Sequence, residues 1–129
     1  MEEKFVKMFI QKQYQDRLRF ELTSKKREKA INRFSHNAKQ LLKENLILKQ
    51  GEKISKEDIE KVFKKETNKD VYLISLNPIY DQKLEGFSSA INIFFDEFLP
   101  MIIIGESFAL IRQETSGNAS IKFLLSEKL

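Results

Sequence analysis

His36 is the first residue to weigh as a catalyst, because it is the only histidine and so the only side chain here with an ordinary pKa near neutrality. A general base also needs an orienting carboxylate and a nucleophile or substrate within hydrogen-bond reach. Ser35 is adjacent in sequence but projects from a different side of a helix, so no triad is spelled out and His36 reads as a surface residue. The carboxylates Asp81, Glu85, Asp96, Glu97, Glu106 and Glu114 are the other candidates, for acid–base work or a hard cation. Their spacing matches no calcium loop, and the neighbours Asp96 and Glu97 face different ways on a helix. Gly86, Gly105 and Gly117 are isolated, with no phosphate-cradling arrangement around them. Cysteine is absent, which removes disulfides, thiolate nucleophiles and cysteine-based metal sites. An enzyme would have to build its pocket from the carboxylates with Tyr80 and Arg112, and this reading ranks last. No catalytic residue, metal ligand or cofactor is expected.

One constellation does suggest a contact surface. Lys25, Lys29, Asn32, His36, Lys39 and Lys43 fall on the side of a predicted helix opposite Phe34 and Ala38, and Arg33 is counted with them as a binding residue. At about 1.5 Å per residue the row is roughly 27 Å long. Fixed cations on one rigid rod act together on a polyanion or an acidic groove, releasing counterions on binding. Arg17, Arg19, Arg27 and Arg33 extend the patch if packing brings them to it. Arg27 also lies inside the apolar sector at the start of the helix, where Asp16 or Glu21 would instead be its partner. The charge asymmetry of the whole chain agrees with such a face. Residues 1–69 hold 19 Lys+Arg against 11 Asp+Glu, a net +8, and residues 70–129 hold 4 against 8, a net −4, which together make the formal +4.

The elements that must position these residues follow from periodicity. Phe5, Val6, Phe9, Ile10, Leu18 and Leu22 recur at three- and four-residue steps and predict a helix over 2–22, although residues 17–22 also alternate as a strand would. Ile31, Phe34, Ala38, Leu41, Leu42 and Leu46 keep within a sector of about 160° and predict a second helix over 25–48, stopped by Gly51. Ser55 with Asp58 reads as a capping box, with Ile54 stapled onto Ile59, and opens a third helix over 56–66 whose Ile59, Val62 and Phe63 face inward.

After residue 70 the character becomes β-rich. Strands are predicted over 71–76, 101–104, 107–114 and 119–125, with a largely buried helix from Ser88 or Ser89 to just before Pro100. The apolar run 101–104 is that of a central strand covered on both sides. Gly105-Glu106 suits a two-residue hairpin turn, and residues 115–118 a second turn. Residues 79–86 read as a loop carrying Tyr80, a place for a small polar ligand if Tyr80 lies exposed beside Arg112 and Glu114. Most of the 11 phenylalanines, including Phe5, Phe9, Phe34, Phe63, Phe94, Phe98, Phe108 and Phe123, fall on inner faces, so core packing accounts for them better than base stacking.

These readings predict one α+β domain of 129 residues: three N-terminal helices packed with an antiparallel sheet of about four strands and one buried helix. The charged start at Met1-Glu2-Glu3-Lys4 lacks the apolar core of a signal peptide, and no apolar run approaches the roughly 20 residues that span a bilayer, so a cytoplasmic, bacterial protein without membrane attachment is expected. The function expected is that of a small non-enzymatic interaction or regulatory protein, of the immunity or antitoxin kind, presenting a basic helical face to an acidic protein partner. Nucleic-acid binding through the same face is the alternative. It is opposed by the 11 acids dispersed through that half and by the absence of a recognised nucleic-acid-binding motif. If the last strand lies at a sheet edge, its apolar content permits strand-to-strand dimerisation.

Overall fold

Phe5, Val6 and Phe9 return at helical spacing and form the buried face of α1 (Glu2–Phe9). In the computed structural model, which describes residues 1–114 and 120–127, the helix expected over 2–22 is two helices. Ile10 and Gln11 are extended, and α2 (Lys12–Leu22) begins after them. No proline or glycine causes the break. The Gln11 N–H donates to the Leu41 carbonyl at 2.8 Å, and the Lys43 N–H donates to Phe9 at 2.8 Å, so Ile10 and Leu42 form an antiparallel bridge. The Gln11 side chain also donates to the carbonyls of Gln40 and Leu42, and that of Gln15 to Ile10 at 2.8 Å. These bonds satisfy backbone groups that the broken helix leaves open. Residues 17–22 are helical: Leu18 and Leu22 are buried, and Phe20 stays exposed beneath the Lys26 ammonium.

The second predicted helix is shorter than expected. α3 (Arg27–Leu41) ends where Leu42 joins the bridge, and a 3-10 turn (Glu44–Leu46) leads into strand β1 (Ile47–Gly51). Residues 42–48 thus leave the helix because tertiary partners claim their backbone, and Gly51 ends a strand, not a helix. The capping box forms as expected at the start of α4 (Lys56–Val62), with the Asp58 N–H donating to Ser55 Oγ at 3.1 Å and the Ser55 N–H to Asp58 Oδ2 at 2.9 Å. α4 stops four residues early, in a 3-10 turn (Lys64–Glu66), and Val62, expected to face inward, is exposed.

The remaining elements are β2 (Asp70–Ser75), β3 (Leu84–Gly86), α5 (Phe87–Asp96), β4 (Met101–Ile104), β5 (Phe108–Glu114) and β6 (Ser120–Ser126). The turn expected over 115–118 lies outside the described residues. Among the described residues, the six strands form one antiparallel sheet in the order β1-β6-β5-β4-β2-β3. The α+β class is as the sequence implies, with six strands in place of four because 47–51 and 84–86 join the sheet. β6 is not an edge. It pairs with β5 on one side and with β1 on the other, with a bulge at Leu48, so the strand proposed for dimerisation already has its backbone groups bonded.

Alternation along the strands sorts the core into two layers. Ile74, Ile102, Ile104, Ala109, Ile111, Phe123 and Leu125 face α1, α2 and α3, whereas Leu73, Ile103, Phe108, Leu110 and Leu124 face α4 and α5. The hairpin between β4 and β5 turns one residue later than predicted. The Gly105 N–H donates to the Phe108 carbonyl at 2.9 Å, which leaves Glu106 and Ser107 as the loop. Phe98 does not reach the inner face expected of it. It follows the end of α5 and is 95% exposed, because the chain turns away from the core at Glu97 before the next helical position is reached. Among the described residues no helix is long and apolar enough to cross a membrane.

Candidate anion-binding face

The residues of the predicted basic row are found on and around α3. Lys29, Asn32, His36 and Lys39 are exposed on the helix, and Lys25 is exposed in the turn before it. Lys43 lies past the helix end, half-buried, with its ammonium donating to the Lys7 carbonyl at 3.0 Å. The row is therefore not one straight rod. α3 has 15 residues, about 22 Å, and its backbone leaves helical geometry at Asn37 (φ −135°, ψ 31°). The Lys39 N–H, two residues on, donates to the side chain of Gln113 on β5 at 3.1 Å. Among the described residues, Lys25, Lys29, His36 and Lys39 form no ion pair.

Arg33 is engaged within the fold. Its Nε and Nη2 donate to the two oxygens of Glu21 at 2.9 and 3.0 Å, and Arg17 Nε approaches the same carboxylate at 3.7 Å. Glu21 is buried, and the fork of Arg33 answers its charge. The hydrogen bond from Arg33 holds the Glu21 carboxyl below the usual carboxylate range despite burial, and the charges of Arg33, Arg17 and Lys29 add to this. The same bond raises Arg33. A carboxylate depressed in the folded state contributes stability that is complete above its unfolded pKa of about 4.3 and is lost as pH falls through the lower folded value. Glu97, held low first by the Asn77 amide, and Asp58, held low by the Ser55 N–H, act in the same direction. Glu21→Gln is expected to cost about 1.5 kcal/mol at neutral pH and to flatten the acid limb. Urea midpoints measured from pH 7 to pH 2 check this, since the two proteins should converge at the acid end.

The pairing of α2 with α3 leaves a groove of about 190 Å³ between them. Tyr14, Arg17 and Leu18 line it from α2, and Arg33, Asn37, Gln40 and Leu41 from α3. Gln40 Nε2 is 3.5 Å from the Tyr14 hydroxyl, which accepts from it, and Tyr14 rests half-buried on the core. Of the four arginines expected to extend the patch, Arg17 and Arg33 line this groove and Arg19 and Arg27 do not. Arg19 pairs with Glu3 at 2.8 Å and Asp16 at 3.2 Å. Arg27 pairs with neither Asp16 nor Glu21. It is drawn between Glu2 at 2.7 Å and Asp81 at 2.8 Å, because the start of α1 and the loop after β2 meet over the beginning of α3. Periodicity within one helix placed the lysines, but not this groove. The signal was the pair of matching steps, 14-17-18-21 and 33-37-40, which only a choice of helix partner turns into a site.

The second candidate place separates into two. Tyr80 is half-buried in a cavity of about 500 Å³ with Ser89, Asn92, Ile93, Asp96 and Glu97. Arg112 and Glu114 line a neighbouring groove of about 260 Å³ with Phe98, and the two share only Asp96 and Glu97 as walls. Arg112 is buried and donates to the carbonyls of Phe94 at 2.9 Å, Phe98 at 3.4 Å and Leu99 at 3.1 Å, so its guanidinium closes the C-terminal end of α5. Glu97 accepts from Asn77 Nδ2 at 2.9 Å and from the Leu99 N–H at 3.2 Å. Both charged groups serve the chain's own backbone and turns. Among the described residues, no three His, Asp or Glu side chains are grouped to hold a metal ion. Compared with protein-family models, with curated proteins and with solved structures, the chain matches none.

Proposed function

We propose that this chain is a small, non-enzymatic interaction or regulatory protein of the bacterial cytoplasm, of the immunity or antitoxin kind, whose α2–α3 face receives an acidic protein partner. The observation that carries the reading is the exposed set Lys25, Lys29, His36 and Lys39, which forms no ion pair among the described residues. The helical layer behind it has the composition of a cationic surface: residues 1–46 hold 12 Lys+Arg and 6 Asp+Glu, a net +6. Such a field speeds encounter with an acidic partner and selects against basic ones. The polar groups elsewhere that could serve chemistry, Arg112 and Glu97 above all, are already bonded to the backbone.

The test uses a labelled hexaglutamate peptide and a random DNA duplex as probes, each titrated at two salt concentrations against the wild type and the variant Lys25→Glu/Lys29→Glu/Lys39→Glu. The peptide should bind the wild type at low salt and lose at least tenfold in affinity with the variant. Equal binding by the two proteins overturns the reading. Preference for the duplex, with a slope of log affinity on log salt near −5 for about six phosphates, replaces the acidic protein by nucleic acid.

A further inference from the structure

We propose that the groove between α2 and α3 is the recognition pocket of the basic face and takes one Asp or Glu side chain of the acidic partner, with Arg17 as its principal contact. This rests on the function proposed above and adds to it the residue class recognised and the position of the anchor.

Size is the first argument. About 190 Å³ admits a single side chain and falls below the roughly 300–1,000 Å³ of sites for whole small molecules. Charge is the second. Glu21 is the carboxylate beside the groove, and both its oxygens are already taken by the fork of Arg33. Arg17 stands 3.7 Å from that carboxylate, beyond hydrogen-bond distance, and makes no hydrogen bond among the described residues. Its side chain is 64% exposed. Arg17, Arg33 and Glu21 sum to +1, and the planar guanidinium of Arg17 retains the donor pair that a second carboxylate accepts.

The neutral groups of the lining suit the same ligand. Asn37 and Gln40 each carry an amide donor and Tyr14 a hydroxyl, while Leu18 and Leu41 give apolar contact for the methylenes of an acidic side chain. Tyrosine and arginine are the residues that most often dominate interface energetics when set in such a depression. The backbone of the α3 wall is held before binding: Asn37 sits at the break of α3, and the Lys39 N–H two residues on donates to Gln113 of β5.

Arg17→Gln tests the assignment, with hexaglutamate, inorganic phosphate and the random duplex as probes and Lys39→Gln as the comparison. Arg17→Gln should lower peptide affinity at least tenfold, and Lys39→Gln no more than about threefold, as expected of an anchor and a rim charge. Gln40→Ala should fall between them. In the wild type, the peptide should shift the Arg17 Nε–H resonance, and hexaserine should not. Peptide binding by Arg17→Gln equal to that of the wild type removes the pocket. It leaves the face intact if the triple lysine variant still fails to bind, and if that variant also binds, both readings fall. A larger loss for duplex or phosphate than for peptide assigns the groove to a phosphate and overturns the carboxylate.

Discussion

Arg27→Met is expected to lower the unfolding free energy by about 3–5 kcal/mol, the range for removing one partner from a buried charge cluster. Arg27 Nε and Nη2 donate to the two oxygens of Asp81 at 2.8 Å each, and Nη1 and Nη2 to those of Glu2 at 2.8 and 2.7 Å. Nη1 also reaches the Leu22 carbonyl at 3.0 Å. Tyr72 donates its hydroxyl to Glu2 at 2.6 Å, and the Ser75 N–H donates to Asp81 at 3.0 Å. One guanidinium thus joins α1, the start of α3, the second strand and the loop after it. The side chains of Arg27, Glu2 and Asp81 are only 16%, 17% and 20% exposed, so water does little to replace the cation. The electrostatic response agrees: hydrogen bonding to Glu2 raises Arg27 despite burial, and burial followed by the bond to Glu2 pushes the Tyr72 phenol well above its usual value.

Without Arg27, two carboxylates and a tyrosine are left facing one another. Arg27→Lys should recover less than half of the loss, because three donors on a point charge cannot serve two carboxylates and a carbonyl as the planar fork does. Urea unfolding at neutral pH measures both variants. In a Glu2→Gln/Asp81→Asn background the Arg27→Met change should cost at least about 1 kcal/mol less, since no uncompensated anion remains. A loss below about 1 kcal/mol in the parent protein would contradict the account.

Gly105→Ala should destabilise by about 2–3 kcal/mol, at the upper end of what overpacking a core costs. A Cβ on Gly105 would fall within the ring of Phe108, which is 1% exposed. That ring cannot move aside. It stacks on Phe63 with centroids 4.4 Å apart and meets Phe87 at 5.9 Å. The glycine is needed for this close approach of backbone to ring and not for an unusual backbone angle. In a Phe108→Leu background, Gly105→Ala should cost at least about 1 kcal/mol less, a coupling a double-mutant cycle reads directly. Equal costs in the two backgrounds would mean that the ring is not what the methyl meets.

The electrostatic face was legible in part. The spacing of Lys29, Asn32, His36 and Lys39 against Phe34 and Ala38 is a property of one helix, and those residues do emerge on its exposed side. Lys25 and Lys43 were harder, because where a helix ends depends on what else binds its terminal carbonyls. The Leu41 carbonyl accepts from Gln11, thirty residues away in sequence, and this ends α3 before Lys43 is reached. Arg33 has the same spacing as its exposed neighbours, and only the approach of Glu21 from α2 separates it from them. Phe98 has helical phase with Phe94 and Phe95, yet α5 has ended by then, with Arg112 and Glu97 bonded to the turn that follows.

By itself the sequence determined whatever rests on near neighbours or on period. That includes the capping box at Ser55 and Asp58, the opposite facing of Phe108 and Ala109 on β5, the doubly covered run Met101–Ile104, and the concentration of positive charge in the first half. Tertiary structure alone decided the break at Ile10, the recruitment of Ile47–Gly51 to the sheet, the two partners of Arg27, and the meeting of Tyr14 and Arg17 with Asn37 and Gln40. Three of these are long-range competitions for backbone or side-chain hydrogen bonds, in which a distant partner offers more than the next residue along the chain. The fourth follows from the burial of Leu18 and Leu41 where α2 packs against α3.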